Sequence, residues 1–292
     1  MPESEARKRI AEKRKAELDA RRRRERSRKL AVRIGIPLAA IVVIAVAFGV
    51  VANLPRGGSG ATASGSSASQ VLAKVTSVPA STLKAVGAGA ATIGPTAVSA
   101  PALTKDGKPH VVYIGADYCP FCAAERWPMA VALSRFGTFS GVGLTSSSST
   151  DVYPNTATLS FYKSTYTSDY VSFTGRETED RSGKPLDPMT ASEQKLLTKY
   201  DAPPYTKSAG SIPFVDIAGK YLINGASYDP TVLKGKTHAQ IAAALSDPDS
   251  TIAQNIDGVA NAITAAICTT TDQQPAKVCT ASGVKATASL LK

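Results

Sequence analysis

The chain has 292 residues, 43% of them hydrophobic, and a formal net charge of +11. Length and apolar content suffice for a sizeable buried core, which excludes a wholly disordered chain. Residues 1–33 carry 14 Lys and Arg against 6 Asp and Glu, whereas the other 259 carry 20 against 17, so a basic arm sets the charge and a basic nucleic-acid-binding domain is not indicated.

The arm reads ARKRIAEKRKAELDARRRRERSRK, strong helix formers of mixed charge with almost no apolar residues. It is expected to be a solvated helix or disordered arm drawn to anionic headgroups. RNA or DNA binding is the competing reading, and no aromatic or motif supports it.

Residues 34–54 (IGIPLAAIVVIAVAFGVVANL) are 21 residues without a charge. At about 1.5 Å per residue a helix of that length crosses about 30 Å of hydrocarbon. A cleaved signal peptide is the alternative, but the apolar run is long for one and lacks a clean small-x-small site. Basic residues crowd its N-terminal side, while Arg56 stands alone beyond the other end. This bias predicts a single-pass membrane protein with residues 1–33 in the cytoplasm and everything after residue 54 outside it.

Residues 55–69 are Gly/Ser-rich and read as a flexible linker, with the folded domain expected over 70–283 and a C-terminal tail over 284–292. Between residues 70 and 109 a short apolar-periodic piece predicts one or two packed helices. The run HVVYIGA from His110 reads as a buried strand leading through Asp117 and Tyr118 into CPFC, and CAAERWPMAVALSRF continues as a helix that Pro128 should kink. GVGLTSS (141–147) reads as the next parallel strand. A strand near residues 170–174 and a helix over 191–200 follow, with Thr190 and Glu193 supplying a capping box. SIPFVDI and GKYLING read as a hairpin, and helices over 237–245 and 251–268 close the domain. No internal repeat is visible.

The four cysteines fall into two pairs, Cys119 with Cys122 and Cys268 with Cys279. A C-x-x-C between a strand and a helix places the first sulfur at unpaired backbone donors and the positive helix end, which lowers its pKa from about 8.5 toward roughly 7. Cys119 is thus the expected nucleophile and Cys122 the resolving thiol. Phe121 lends the thiolate no charge, so an extreme acidity is not expected. Half of a zinc site, completed by Cys268 and Cys279 or by His110 and His238, is a competing reading with poor spacing, and an inert structural disulfide is another. Cys268 and Cys279 enclose ten residues and are expected to form a structural disulfide, with a second redox pair as the alternative.

Asp117 and Glu125 are candidate proton acceptors near Cys122, weighed against a turn aspartate and a surface helix glutamate; Trp127 reads as core. The tyrosine-rich stretch after residue 148 reads as core and strand face more readily than as a peptide groove. Gly235, Lys236 and Thr237 imitate a phosphate loop, but Pro230 stands where its first glycine belongs, which argues against nucleotide binding.

With strand, CPFC, helix and a later Ile-Pro before a strand, the sequence resembles the thioredoxin superfamily. The stretches YIGADYCPFCAAERW, ALSRFGTFSG, SSSTDVYPNT and SIPFVDIAGKY are similar to the actinobacterial family called domain of unknown function 929. The resemblance implies an α/β thioredoxin-like fold with an insertion between the CxxC helix and the cis-proline strand. It also implies that Ile212 and Pro213 form a cis-proline loop whose backbone binds substrate beside Cys119. The Trp-Cys-Gly-Pro-Cys signature is absent, which leaves the redox potential open.

The function expected on this basis is a tethered thiol-disulfide oxidoreductase acting on exported thiol or disulfide proteins and recycled by a membrane redox partner. Its expected cofactor is none beyond the cysteine pair. A noncatalytic envelope binding module with a structural CPFC disulfide is the second reading.

Overall fold

A computed structural model describes residues 62–206 and 209–291. The basic arm, the apolar segment over 34–54 and the start of the Gly/Ser-rich stretch lie outside the described residues. Among the described residues no helix is long and apolar enough to cross a membrane.

The fold opens with helices α1 (Thr62–Thr76) and α2 (Ala80–Val86). α1 begins inside the stretch expected to be a linker. Its far end is held by burial of Val71 and Val75, and such packing stabilises a helix more than propensity does. Short strands β1 (Thr96–Ala97) and β2 (Thr104–Lys105) lead to β3 (Lys108–Gly115), which covers the predicted strand. The predicted helix after CPFC is α3 (Pro120–Leu133).

β4 (Gly137–Ser140), β5 (Gly143–Ser146), β6 (Ala157–Ser160), β7 (Thr165–Ser168) and β8 (Ser172–Glu177) follow. The structure corrects the reading of 141–147 as a parallel strand: β5 pairs antiparallel with β6, as β4 does with β7, in ribbons outside the central sheet. The parallel partner of β3 is β8, in register from His110↔Ser172 to Gly115↔Glu177. It overlaps the strand expected near residues 170–174 but runs on to Glu177, and Gly175 lets the Phe161 side chain approach to where a Cβ would be 2.6 Å away.

After α4 (Ala191–Tyr200), with its predicted capping box, come β9 (Phe214–Ile217) and β10 (Tyr221–Asn224), the predicted hairpin. A 3-10 turn (Pro230–Leu233) precedes α5 (His238–Ala244) and α6 (Thr251–Thr270), both close to the predicted spans. Thr237 caps α5 through the amide of Gln240. The expected C-terminal tail is instead part of the packed domain, because α7 (Ala276–Cys279) and α8 (Ser282–Lys285) lead to a buried Val284 and Thr287. Gly283 makes this possible: a Cβ there would stand 2.3 Å from the carbonyl oxygen of Leu83.

The result is a mixed α/β domain around a mixed central sheet, ordered β1-β10-β9-β3 with β8 and β2 along the far edge of β3. β9 runs antiparallel to β3 and β8 parallel to it. Alternation along β3 sends Val111 and Tyr113 into the larger core with α3 and α6, and Val112 and Ile114 into the smaller core with Tyr200 and Leu222. Both faces of β3 are therefore covered, which leaves its C-terminal end as the place where side chains can meet a ligand.

Candidate functional site

Cys119 occupies the N-cap of α3 with extended backbone (φ −77°, ψ 123°), and Pro120 starts the helix where a missing amide hydrogen costs nothing. The amide of Cys122 donates to Cys119 Sγ at 3.4 Å. Both cysteines are free thiols; Cys119 is 5% exposed and Cys122 fully buried. The Cys119 pKa falls from 9.0 to about 7. The chief cause is the hydrogen bond from the Cys122 thiol, followed by the backbone amides of Cys122 and Phe121 and the Arg126 charge, with burial opposing them. Burial pushes the Cys122 thiol far up. The neighbouring thiol, more than the helix start emphasised by the sequence, thus sets the acidity of Cys119.

The Ile212–Pro213 peptide is cis and lies beside this pair, with the Cys119 thiol 3.6 Å from the carbonyl oxygen of Ile212. β9 begins at the next residue, Phe214, so the pairing of β9 with β3 carries Pro213 to the sulfur.

Beneath the pair lies a charged cluster that the sequence reading missed. Arg126, fully buried, donates through Nε and Nη2 to the Glu177 carboxylate at 2.8 and 2.6 Å, and through Nη2 to the carbonyl of Ala116 at 2.7 Å. Asp117 Oδ1 is 3.6 Å from the same nitrogen. Burial works against the Arg126 charge, but Glu177, together with Tyr113 and Cys122, more than offsets it and the guanidinium stays protonated. Burial likewise pushes the Glu177 carboxyl up while Arg126 pulls it back. The signal that could have found Arg126 is its context: every residue of α3 except Phe121 is buried, so a charge in that helix must have an internal partner.

Asp117 is a largely buried turn residue. Glu125 is not the surface glutamate weighed in the sequence; it is fully buried and accepts from the amide and hydroxyl of Ser227 at 2.8 and 3.1 Å. Burial raises its pKa to about 7. Trp127 is core, its indole donating to the carbonyl of Ala157 at 3.2 Å.

Cys268 and Cys279 form a disulfide. His110 and His238 stay apart from the CPFC pair in the hydrogen-bond pattern: His110 Nε2 meets the Thr174 hydroxyl at 2.9 Å, and His238 Nε2 meets the carbonyl of Thr145 at 2.7 Å. The ligands that the zinc reading required are therefore engaged elsewhere.

The segment between β5 and β6 docks on the motif. Ser148 donates its amide to the carbonyl of Tyr118 at 2.8 Å, and Tyr153 meets the half-exposed Phe121 ring edge-on at 5.7 Å. Next to them, Tyr118, Thr150, Val152, Glu179 and Arg181 line a cavity of about 440 Å³. Val152 is 69% exposed, so the rim presents apolar surface in the cavity that Tyr118 also lines.

The model of a family described as domain of unknown function (DUF929) matches residues 95–269. The chain belongs to that family. No curated protein and no solved structure matches it. The DUF929 match spans β1 to α6 and holds Cys119, Cys122, Arg126, Glu177 and Pro213. α1, α2, α7 and α8 lie outside it, so the Cys268–Cys279 bridge ties a residue inside the match to one beyond it.

Proposed function

We propose that this DUF929 protein is a membrane-tethered, extracytoplasmic thiol-disulfide oxidoreductase of thioredoxin-like fold. The strand order β8-β3-β9-β10, with β8 parallel and β9 antiparallel to β3, and the CxxC at the start of the helix after β3, support the fold reading. The apolar segment over 34–54 with its basic N-terminal flank supports the tether and the orientation.

The observation that carries the chemistry is the unequal pair: an acidic Cys119 at the helix cap beside a buried, weakly acidic Cys122. In the reducing direction the Cys119 thiolate attacks one sulfur of a substrate disulfide. A Cys119–substrate disulfide forms and the other substrate sulfur leaves as a thiolate that takes up a proton. Cys122 then attacks Cys119 Sγ, closing the Cys119–Cys122 bond and releasing the second substrate thiol. Two electrons pass from the pair to the substrate; oxidation of a substrate dithiol is the reverse. A membrane redox partner returns the pair to its starting state.

The Ile212 carbonyl beside Cys119 is the backbone group against which an extended substrate segment would align, and the Phe121, Val152 and Tyr153 rim offers its side chains an apolar surface. In a noncatalytic module the CPFC disulfide would be inert. Incubation of the protein with a fluorogenic disulfide peptide and a dithiol that re-reduces the pair separates the readings: turnover above the dithiol's own rate is expected, and is expected to vanish in Cys119→Ser. Equal turnover in that variant, or none in the wild type, would sink the proposal.

A further inference from the structure

Tyr113, on β3, is fully buried, and among the described residues its hydroxyl has no hydrogen-bond partner. A tyrosine hydroxyl left so is unusual, since a buried polar group without a partner loses its hydration and gains nothing over a phenylalanine. Its surroundings are not those of plain core. A Cβ built on Gly115 would stand 2.3 Å from Tyr113 Oη and 3.0 Å from Cys122 Sγ, so the hydroxyl and the resolving sulfur flank the space that glycine leaves open. The Arg126 guanidinium carbon is 5.8 Å from the Tyr113 ring centroid, and its Nη1 is also buried without a partner. Phe161 packs edge-on against the ring from the other side at 5.3 Å.

In the dithiol state the Cys122 proton serves Cys119. Once Cys119 is bonded to a substrate sulfur it no longer accepts that bond. Cys122 must then develop negative charge in a site closed to water, and with Cys119 neutral in the mixed disulfide the charged group acting on it there is Arg126, with Glu177 acting on Tyr113.

We propose that the Tyr113 hydroxyl is the hydrogen-bond donor that receives the Cys122 thiolate as it attacks the mixed disulfide on Cys119. Tyr113 keeps its proton throughout. The Cys122 proton ends on the departing substrate thiolate, and the new sulfur-sulfur bond is Cys119–Cys122. Gly115 belongs to the same device, because any side chain there would part donor from sulfur. This role rests on the oxidoreductase reading above.

The two steps can be timed separately with the reduced full-length chain and excess dithiobis-nitrobenzoate. Attack by Cys119 releases one nitrothiobenzoate and closure by Cys122 a second. In Tyr113→Phe the first phase should be unchanged. The second should be about 3- to 10-fold slower at pH 6 and at pH 9 alike, because both lie below the raised Cys122 pKa, where a less stabilised thiolate is scarcer though more nucleophilic. A thiolate absorbance titration of Cys122 in the Cys119→Ser background should move upward by about one unit on adding Tyr113→Phe, and this equilibrium measurement does not depend on the kinetics. A second phase unaltered at both pH values, a Cys122 titration that does not move, or both phases slowed together would each overturn the role. A wild-type chain that releases no nitrothiobenzoate would remove the oxidoreductase reading and this role with it.

Discussion

Replacing Arg126 by Met tests whether the ion pair beneath the cysteines is structural, electrostatic or both. The substitution keeps most of the side-chain length but strips Glu177 of its two charge-assisted hydrogen bonds and Ala116 of one. What remains on the Glu177 carboxylate is the amide of Phe161 at 3.2 Å. An uncompensated buried carboxylate costs roughly 3–5 kcal/mol near pH 8. The sign of the pH dependence follows from linkage. Without Arg126 the folded-state pKa of Glu177 rises far above its ordinary 4.5, so the penalty is full above the raised value and fades as the pH falls from there towards 4.5. Near pH 4 only the lost bond to Ala116 should remain, about 1 kcal/mol. Guanidinium denaturation at the two pH values measures this, and Arg126→Met/Glu177→Gln should recover most of the loss at pH 8. A loss that is the same at both pH values, or a double variant no better than the single, would refute the buried-charge argument. The same single variant should raise the pKa of Cys119, since Arg126 is one of the groups that lower it.

Buried Asp257, whose two carboxyl oxygens lack partners among the described residues, has its pKa raised to about 8 by burial, and Glu125 and Asp216 are raised to about 7 and about 6. Each binds a proton on folding, so the melting temperature should fall from pH 5 to pH 8, and Asp257→Asn should flatten that fall and stabilise the protein by on the order of 4 kcal/mol near pH 7; an unchanged slope would contradict it. Removing the Cys268–Cys279 bridge by a double Ser substitution should cost roughly 3 kcal/mol through loop closure, read by denaturation, and should leave the first phase of the nitrobenzoate reaction intact.

The parts of the site that were legible in the sequence are those set by local chemistry. A β-branched run, two cysteines two residues apart and a proline at the helix start define the strand, the turn and the cap without reference to the rest of the chain. The capping box at Thr190 and the hairpin after Pro213 are local in the same sense. What depends on distant pairing stayed hidden. Glu177 meets Arg126 because β8 lies parallel to β3, and the strand expected near residues 170–174 shows neither that pairing nor its extension to Glu177. In the sequence Tyr113 is only one residue of an apolar strand; its meaning comes from Gly115, which brings hydroxyl and sulfur to one gap. The helical start at Thr62 and the packed C-terminus escaped notice because Ala, Ser and Gly carry little signal of burial, although they allow the closest backbone approaches.

α3 also explains why the cysteines and the Pro213 loop can act as one rigid unit. Successive residues on a helix point about 100° apart, so the adjacent charges Glu125 and Arg126 face different partners: Arg126 meets Glu177 on β8, and Glu125 meets Ser227 in the segment after β10. Pro128 frees the carbonyl of Ala124 from its helical partner, and the hydroxyl of Tyr228 takes its place at 2.9 Å. Ser227 and Tyr228 thus grip α3 one turn below Cys122, through bonds that need both the buried carboxyl and the proline-induced gap. The same segment leaves the β9–β10 hairpin, whose open end is held by the amide of Gly225 donating to the carbonyl of Pro213 at 2.8 Å. The hairpin that sets the Ile212 carbonyl beside Cys119 is therefore fixed to the helix that makes Cys119 acidic, and the 3.6 Å between them is a property of the core and not of a loose loop.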